Sequence, residues 1–195
     1  VMVVGVVLAA LTYFVALQAR YPEPAHAHEI HIVSTGDGWK LRLHRRKPAH
    51  GGGDPVFFMH SLASNHLNFE VPHGHSLVDY LVNAGYDCWT FDSRACRDAI
   101  PPQRNMRSTS TVDDMLLLDI PAALRCIREV CGKPRVHWIG HSMGGMLFYA
   151  YDLKFRGEGL ASAVTLGSPP GFKGYRHAPH NGIVLLNRRA HTLLS

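Results

Sequence analysis

A serine between glycines stands where a strand-like run meets a helix-like run, and this feature constrains the fold more than any other. The stretch reads WIGHSMGGML, with Ser142 two residues from both Gly140 and Gly144. The pattern G-x-S-x-G places a nucleophile on a sharp strand-to-helix turn, where larger flanking side chains would collide with neighbouring backbone. The apolar run RVHWIG precedes the turn and GMLFYAYDLKF follows it. This context predicts a nucleophile elbow with Ser142 as the attacking residue.

Strand-like and helix-like segments alternate along the rest of the chain. The period-two runs EIHIVST and WKLRLHR flank a GDG turn and predict a hairpin. Four continuous apolar runs, PVFFMH, DCWTFD, RVHWIG and ASAVTLG, predict buried strands separated by helices. Such alternation favours an α/β fold with a mostly parallel sheet. The carboxyl ends of its strands would then gather His60, Asp92, Ser142 and Ser168 at one edge.

Local signals set the helix boundaries. Ser76 is a candidate cap and Gly85 a candidate end for SLVDYLVNAGY, and Thr111 with Asp114 resembles a capping box with Asp in place of Glu. We expect the following helix to break or restart near Pro121. The segment GMLFYAYDLKF is apolar nearly all round and predicts a buried helix, whereas the alternating RLHRRK (42–47) predicts a solvated strand face.

The predicted elbow has a defined chemistry. The amino terminus of the helix after Ser142 points N–H groups and the positive end of its dipole at developing negative charge. The N–H of Met143 is therefore one predicted oxyanion donor. His141 is adjacent to the serine, but the turn directs its side chain elsewhere.

The motifs together resemble the α/β-hydrolase superfamily, especially its lipase and esterase-like members. The resemblance covers about residues 28 to 190 and includes FFMHSLASNHLNF, GYDCWTFDSRACRD, DIPAAL, GHSMGG and TLGSPPGF; DIPAAL looks like the acid-lipase branch. It implies that Leu62 gives the second oxyanion N–H and that His60 supports the loop. The family's usual glycines are replaced at Ser61, Ala95 and Arg97.

A serine needs a base to take its proton and an acid to orient that base. In this superfamily the acid and then the histidine follow the serine in chain order. Glu158 is the only acidic residue after Arg156, and His177, His180 and His191 fall in a segment that resembles a lid. We therefore predict that the triad acid and triad histidine are absent. The chain is expected to correspond to the amino-terminal portion of a hydrolase, with carboxyl-terminal strands missing; a truncated gene model, a split gene and a degenerate copy are the alternatives.

The amino terminus predicts an association with membranes. Residues 1–17 carry no charge, and a Pro-rich segment follows Arg20. Seventeen apolar residues are the lower limit for a bilayer-spanning helix and slightly long for a signal-peptide core. A membrane-anchored location through a single transmembrane helix is our first expectation. Secretion after signal cleavage and a buried helix are the alternatives.

The composition limits the kinds of partner that we expect this protein to bind. The net charge is +5, but no basic patch is interleaved with aromatics, so we expect no nucleic-acid partner. The sequence contexts of the four cysteines are typical of buried thiols, and a disulfide between two of them is the alternative. Histidines at 26–31 and 73–75 have no partnering thiolate or carboxylate at ligand spacing, and we expect no metal and no cofactor. The oligomeric state is undetermined by the sequence.

These inferences define four segments and two functional hypotheses. Residues 1–20 are the membrane anchor or signal, 21–28 a linker, 28–170 an incomplete α/β-hydrolase core, and 171–195 the start of a lid or cap. The first hypothesis is a serine hydrolase of small-molecule carboxylic ester or lipid acyl substrates. The second is a catalytically inactive α/β-hydrolase-like protein that binds or interacts without turnover.

Overall fold

One mixed sheet organises the chain in the computed structural model, which describes residues 2–20, 29–70, 76–103, 105–106 and 110–171. Its strands are β1 (Glu29–Ser34), β2 (Lys40–Arg46), β3 (Pro55–Met59), β4 (Asp87–Asp92), β5 (Val136–His141) and β6 (Leu160–Leu166). The spatial order is β1-β2-β4-β3-β5-β6. Strands β4, β3, β5 and β6 run parallel, while β1 and β2 are antiparallel to their neighbours. The predicted α/β architecture with a leading hairpin is confirmed.

The helical segments precede or connect these strands. They are α1 (Met2–Arg20), a 3-10 turn (His66–Phe69), α2 (Leu77–Asn83), α3 (Val112–Asp114), a π-helical turn (Met115–Asp119), α4 (Ile120–Cys131) and α5 (Met143–Phe155). The Ser76 hydroxyl accepts a hydrogen bond from the Asp79 N–H at 2.8 Å, as its predicted cap role requires. The capping box of Thr111 and Asp114 is also confirmed.

The chain does not break near Pro121. It stays helical from α3 to α4 because the wide π-helical turn lies directly upstream, and Pro121 occupies the first turn of α4, where no N–H is needed. The predicted restart of an α-helix near Pro121, with the proline in an initial position, is confirmed, and the π-helical turn keeps the chain helical up to that point.

The core lies on both faces of the sheet. Phe57 and Trp138 are fully buried on the face covered by α4 and α5, and Trp138 meets Phe57 edge-on at 5.0 Å between ring centroids. On the other face, Phe58 and Ile139 pack against Val78 of α2. The central strands are thus covered on both sides, which is why their sequences are continuously apolar.

The helix α5 corrects one expectation. Leu147 and Tyr151 are buried, but Leu153 is 63% exposed. Only one face of α5 meets the sheet, so its uniform apolar character does not correspond to complete burial.

The basic stretch 42–47 corrects a second expectation from the sequence. His44 is buried, and Arg45 and Arg46 are only partly exposed. Arg45 binds Asp87 with an N–O distance of 2.7 Å and also reaches Glu29 at 2.9 Å. The solvated face predicted there is wrong because carboxylates from neighbouring elements pair with the cations.

A buried arginine joins the hairpin to the rest of the domain. Arg94 is 2% exposed and donates to Asp119 at 2.7 Å and to Asp37, in the β1–β2 turn, at 2.9 Å. Its guanidinium also lies 5.2 Å from the centroid of Trp39. This arrangement, the Arg94 clamp, fixes the turn against the start of α4.

Residues 5–16 of α1 are exposed throughout. Among the described residues, no helix is both long enough and apolar enough to cross a bilayer, so the transmembrane helix predicted from the sequence is not supported. No disulfide joins the four cysteines, Cys88, Cys96, Cys126 and Cys131, all of which lie in the described part of the chain.

Candidate functional site

Ser142 occupies a strained turn between β5 and α5. Its φ is +51° and its ψ is −111°, a region that non-glycine residues rarely adopt. The Ser142 N–H donates to the Leu166 carbonyl at 2.8 Å, and its carbonyl accepts from the N–H groups of Gly145 and Met146 at 3.1 Å each. Hydrogen bonds on both sides thus hold the strain in place. The turn presents a half-buried serine at the carboxyl edge of the sheet.

The glycines around Ser142 lie against backbone. A Cβ on Gly140 would lie 2.5 Å from the carbonyl carbon of Gly144. One on Gly144 would lie 2.0 Å from the carbonyl oxygen of Met59, at the end of β3. The Trp138 indole N–H donates to the Gly144 carbonyl at 3.2 Å. No side chain fits at either glycine unless α5 moves away from β3.

The two predicted oxyanion donors lie on neighbouring loops. β3 and β5 pair in parallel with Met59 opposite Gly140, so the loop carrying Leu62 and the turn carrying Met143 leave the same edge. Within the described part of the chain, neither N–H donates a hydrogen bond to the protein. Both groups therefore remain available to an oxygen bound at this edge.

Asn68 connects these two loops, and the sequence did not reveal it. Its side-chain carbonyl accepts from the Ser61 N–H at 2.9 Å. Its amide nitrogen lies 3.2 Å from Nδ1 of His141 and donates to it when that nitrogen is unprotonated. His141 thus directs its ring toward Asn68. The residues lie 73 positions apart, and no local pattern signals the contact.

His60 supports the loop after β3 from the buried side. It is 1% exposed, its Nδ1 donates to the Ser61 carbonyl at 2.7 Å, and its Nε2 lies 3.2 Å from the Ser93 hydroxyl. Burial lowers the pKa of His60. The thiol of Cys96 lies 3.3 Å from the same nitrogen, and burial raises its pKa to about 12. The group is a neutral, buried link between the loops after β3 and β4.

A second polar group, the His–Asp–His cluster of His44, His66 and Asp92, lies at the end of β4. Asp92 accepts from His44 Nε2 at 2.9 Å, from His66 Nδ1 at 3.0 Å and from the His66 backbone N–H at 2.8 Å. The two imidazoles stack with centroids 3.8 Å apart and planes at 13°. Burial alone would raise the pKa of Asp92, but hydrogen bonds from His44 and then His66 hold it below its usual range.

The described residues do not complete a catalytic triad. The Ser142 hydroxyl makes no capping bond to α5, and no imidazole or carboxylate among the described side chains hydrogen-bonds to it. Glu158 follows the far end of α5, roughly 20 Å from the serine at 1.5 Å per residue. The remaining candidates, His177, His180 and His191, lie outside the described residues.

Sequence comparison connects the chain to one family. The model of the alpha/beta hydrolase fold matches residues 54–190. Human lipase member K is 29% identical over 183 residues, covering 84% of this chain and 44% of the relative. Bovine gastric triacylglycerol lipase is 31% identical over 129 residues, covering 60% and 32%, respectively. The chain spans less than half the length of these curated relatives.

Solved structures share the fold. An α/β hydrolase from Novosphingobium aromaticivorans has a TM-score of 0.56 at 22% identity, covering 73% of this chain and 45% of that one. The Pyrococcus furiosus esterase Pf2001 has a TM-score of 0.54 at 20% identity, covering 69% and 49%. A Vigna radiata epoxide hydrolase has a TM-score of 0.55 at 23% identity, covering 72% and 38%.

Proposed function

Because the chain belongs to the α/β-hydrolase family, we propose that it is a serine hydrolase of carboxylic ester or lipid acyl substrates, with Ser142 as its nucleophile. The strained turn at Ser142 is the observation that carries this proposal, because strain of this kind persists where the surrounding structure is built to impose it. The substrate class is supported by relatives that are lipases by name.

The proposed mechanism uses the groups that lie at the carboxyl edge of the sheet. The Ser142 hydroxyl attacks the carbonyl carbon of the ester while a base takes its proton, and the carbonyl oxygen becomes an oxyanion. The N–H groups of Met143 and Leu62 bind that oxyanion. Collapse of the intermediate expels the alcohol, which receives the proton, and leaves an acyl-serine. Water then attacks the acyl-serine, releasing the carboxylic acid and restoring the hydroxyl.

The base and its acid must come from outside the described residues. A serine hydroxyl without them is a weak nucleophile, and an oxyanion hole alone gives a small residual rate. The part of the site that the structure describes therefore supplies the attacking atom, the oxyanion donors and the supports from Asn68 and His60.

The test is covalent labelling of the protein by a fluorophosphonate together with hydrolysis of a p-nitrophenyl ester. We expect labelling at Ser142, and we expect Ser142→Ala to lose both signals by at least about a thousandfold. Ser168→Ala is the matched control, because Ser168 follows the neighbouring strand β6 at the same edge. Full ester hydrolysis by Ser142→Ala would exclude the nucleophile assignment.

A non-catalytic binding protein is the second candidate. It is favoured by one observation: no base reaches Ser142 among the residues that the structure describes. A protein of this kind would bind an acyl ester with measurable affinity and release it unchanged. Calorimetric binding of a short-chain ester, without product and without fluorophosphonate labelling, would select this alternative.

A membrane-anchored location also remains a proposal. It is supported by the exposed apolar side chains of α1, such as Val6, Leu8 and Phe14, each more than half exposed. Apolar surface of this extent favours a lipid surface over water. Deletion of residues 1–20 should abolish co-sedimentation with phospholipid vesicles. If the segment is instead a cleaved signal, the secreted protein collected from the medium should have an amino terminus that lies beyond residue 20.

A further inference from the structure

We propose that the His–Asp–His cluster is a binding site for a divalent transition-metal ion of the Zn²⁺ class. The ion would join β2, β4 and the loop after β3. His44 lies on β2, Asp92 ends β4, and His66 begins the 3-10 turn. The proposal does not depend on the proposed hydrolase activity, because its readouts are affinity, spectrum and thermal stability.

The donor set selects the metal. Two imidazole nitrogens and one carboxylate oxygen are ligands that Zn²⁺ accepts, while Mg²⁺ and Ca²⁺ prefer oxygen alone. The three donor atoms lie within 4.8 Å of one another. Three protein ligands with one open position are typical of a zinc site that also binds water.

The geometry needs little adjustment. His44 Nε2 and His66 Nδ1 lie 2.9 and 3.0 Å from Oδ2 of Asp92. A tetrahedral site with bonds of about 2.0 Å has ligand–ligand edges of about 3.3 Å. These two edges therefore have to lengthen by only a few tenths of an ångström to admit an ion, and the edge between the two nitrogens already lies within 4.8 Å.

One carboxylate oxygen is fixed in advance. Oδ1 of Asp92 accepts the His66 backbone N–H at 2.8 Å, so Oδ2 faces the two imidazoles. Hydrogen bonds of this kind orient a metal ligand and raise affinity. Each imidazole would bind the ion through the nitrogen that now donates to Asp92, with its proton held on the other ring nitrogen, so the ion replaces the two hydrogen bonds.

The site is open on one side. The side chain of His66 is 21% exposed, whereas those of His44 and Asp92 are 8% and 3% exposed. An ion can therefore arrive from solvent past His66 and keep a water there. Because Asn68 lies in the same 3-10 turn and contacts Ser61 and His141, a bound ion would also stiffen the loop beside Ser142.

The experiment uses the full chain in mild detergent after chelator treatment. Calorimetry should show Zn²⁺ binding, and Zn²⁺ but not Mg²⁺ should raise the melting temperature by several degrees. His66→Gln should weaken Zn²⁺ binding at least tenfold. His137→Gln is the matched control, because this partly exposed histidine on β5 lies away from the cluster and its side chain hydrogen-bonds to Ser162. Asp92→Asn, which keeps an acceptor for the His66 N–H, should lose the ion as well.

Equal Zn²⁺ affinity in the unaltered protein and in His66→Gln would overturn the proposal and leave a purely hydrogen-bonded cluster. If the variants do not fold, Co²⁺ substitution in the unaltered protein decides. Intense visible absorption of four-coordinate Co²⁺, removed by stoichiometric Zn²⁺, supports the site. A weak six-coordinate spectrum, or none, excludes it.

Discussion

The elbow and the His–Asp–His cluster lie at the same edge of the sheet but are built in opposite ways. At the elbow, backbone packs against backbone, and Gly144 leaves no room for a single carbon beside Met59. In the cluster, His44 and Asp92 are 48 positions apart on paired strands, and their side chains hydrogen-bond to each other. Steric fit therefore defines the first region, and satisfied polar groups define the second.

The most severe test of this contrast is Gly144→Ala. The added carbon would lie 2.0 Å from a backbone oxygen that no rotamer can move, so we expect a loss of more than about 3 kcal/mol in the free energy of unfolding. Gly36→Ala is the control, because nothing lies within 4 Å of a Cβ there; it should change stability by about 0.5 kcal/mol or less. Equal effects in urea denaturation would refute the steric account.

Removing the carboxylate at the centre of the cluster should have the next largest effect. Asp92→Ala leaves two imidazoles and a backbone N–H without their acceptor, and we expect a loss of about 2 kcal/mol in chelator-containing buffer. Asp98→Ala is the comparison, since its ion pair with Arg42 is largely exposed and worth less than about 1 kcal/mol. Similar losses for both variants would show that burial does not strengthen the cluster.

Asn68 lies between the two regions and tests whether they act together. Asn68→Ala removes the bridge between Ser61 and His141, and we expect a loss of about 1 kcal/mol and roughly tenfold slower fluorophosphonate labelling. Asn83→Ala, at the exposed end of α2, is the control. An unchanged labelling rate in Asn68→Ala would mean that the bridge does not position the loop.

The smallest expected effect concerns an exposed carboxylate on β1. The hydrogen bond from Lys47, followed by that from Arg45, lowers the pKa of Glu29 from 4.5 to about 2. A lowered folded-state pKa contributes stability above pH 4.5 that is lost as the pH falls toward 2. Glu29→Gln should therefore flatten the acid limb of the stability curve slightly, and salt should do the same. An unchanged acid limb would contradict the assignment.

The difference between local and long-range contacts explains which features of the fold and site could be predicted from the sequence. The hairpin, the buried strands and the caps at Ser76 and Thr111 depend on neighbours a few positions away, so their patterns were visible. The burial of His44 and the role of Asn68 depend on partners 48 and 73 positions away, and no local pattern signals either one. The exposure of Leu153 on α5 was missed because apolar composition does not say which faces a fold can cover.

The Arg94 clamp sets an order on folding during synthesis. Its two main partners, Asp37 and Asp119, are separated from it by 57 and 25 positions on opposite sides. The β1–β2 hairpin is made early, yet the clamp on its turn is complete only after residue 119 has left the ribosome. Closing contacts over such spans costs chain entropy before any packing is gained. The first hairpin of the sheet to be translated is therefore fully clamped only after β4 and the π-helical turn have been made.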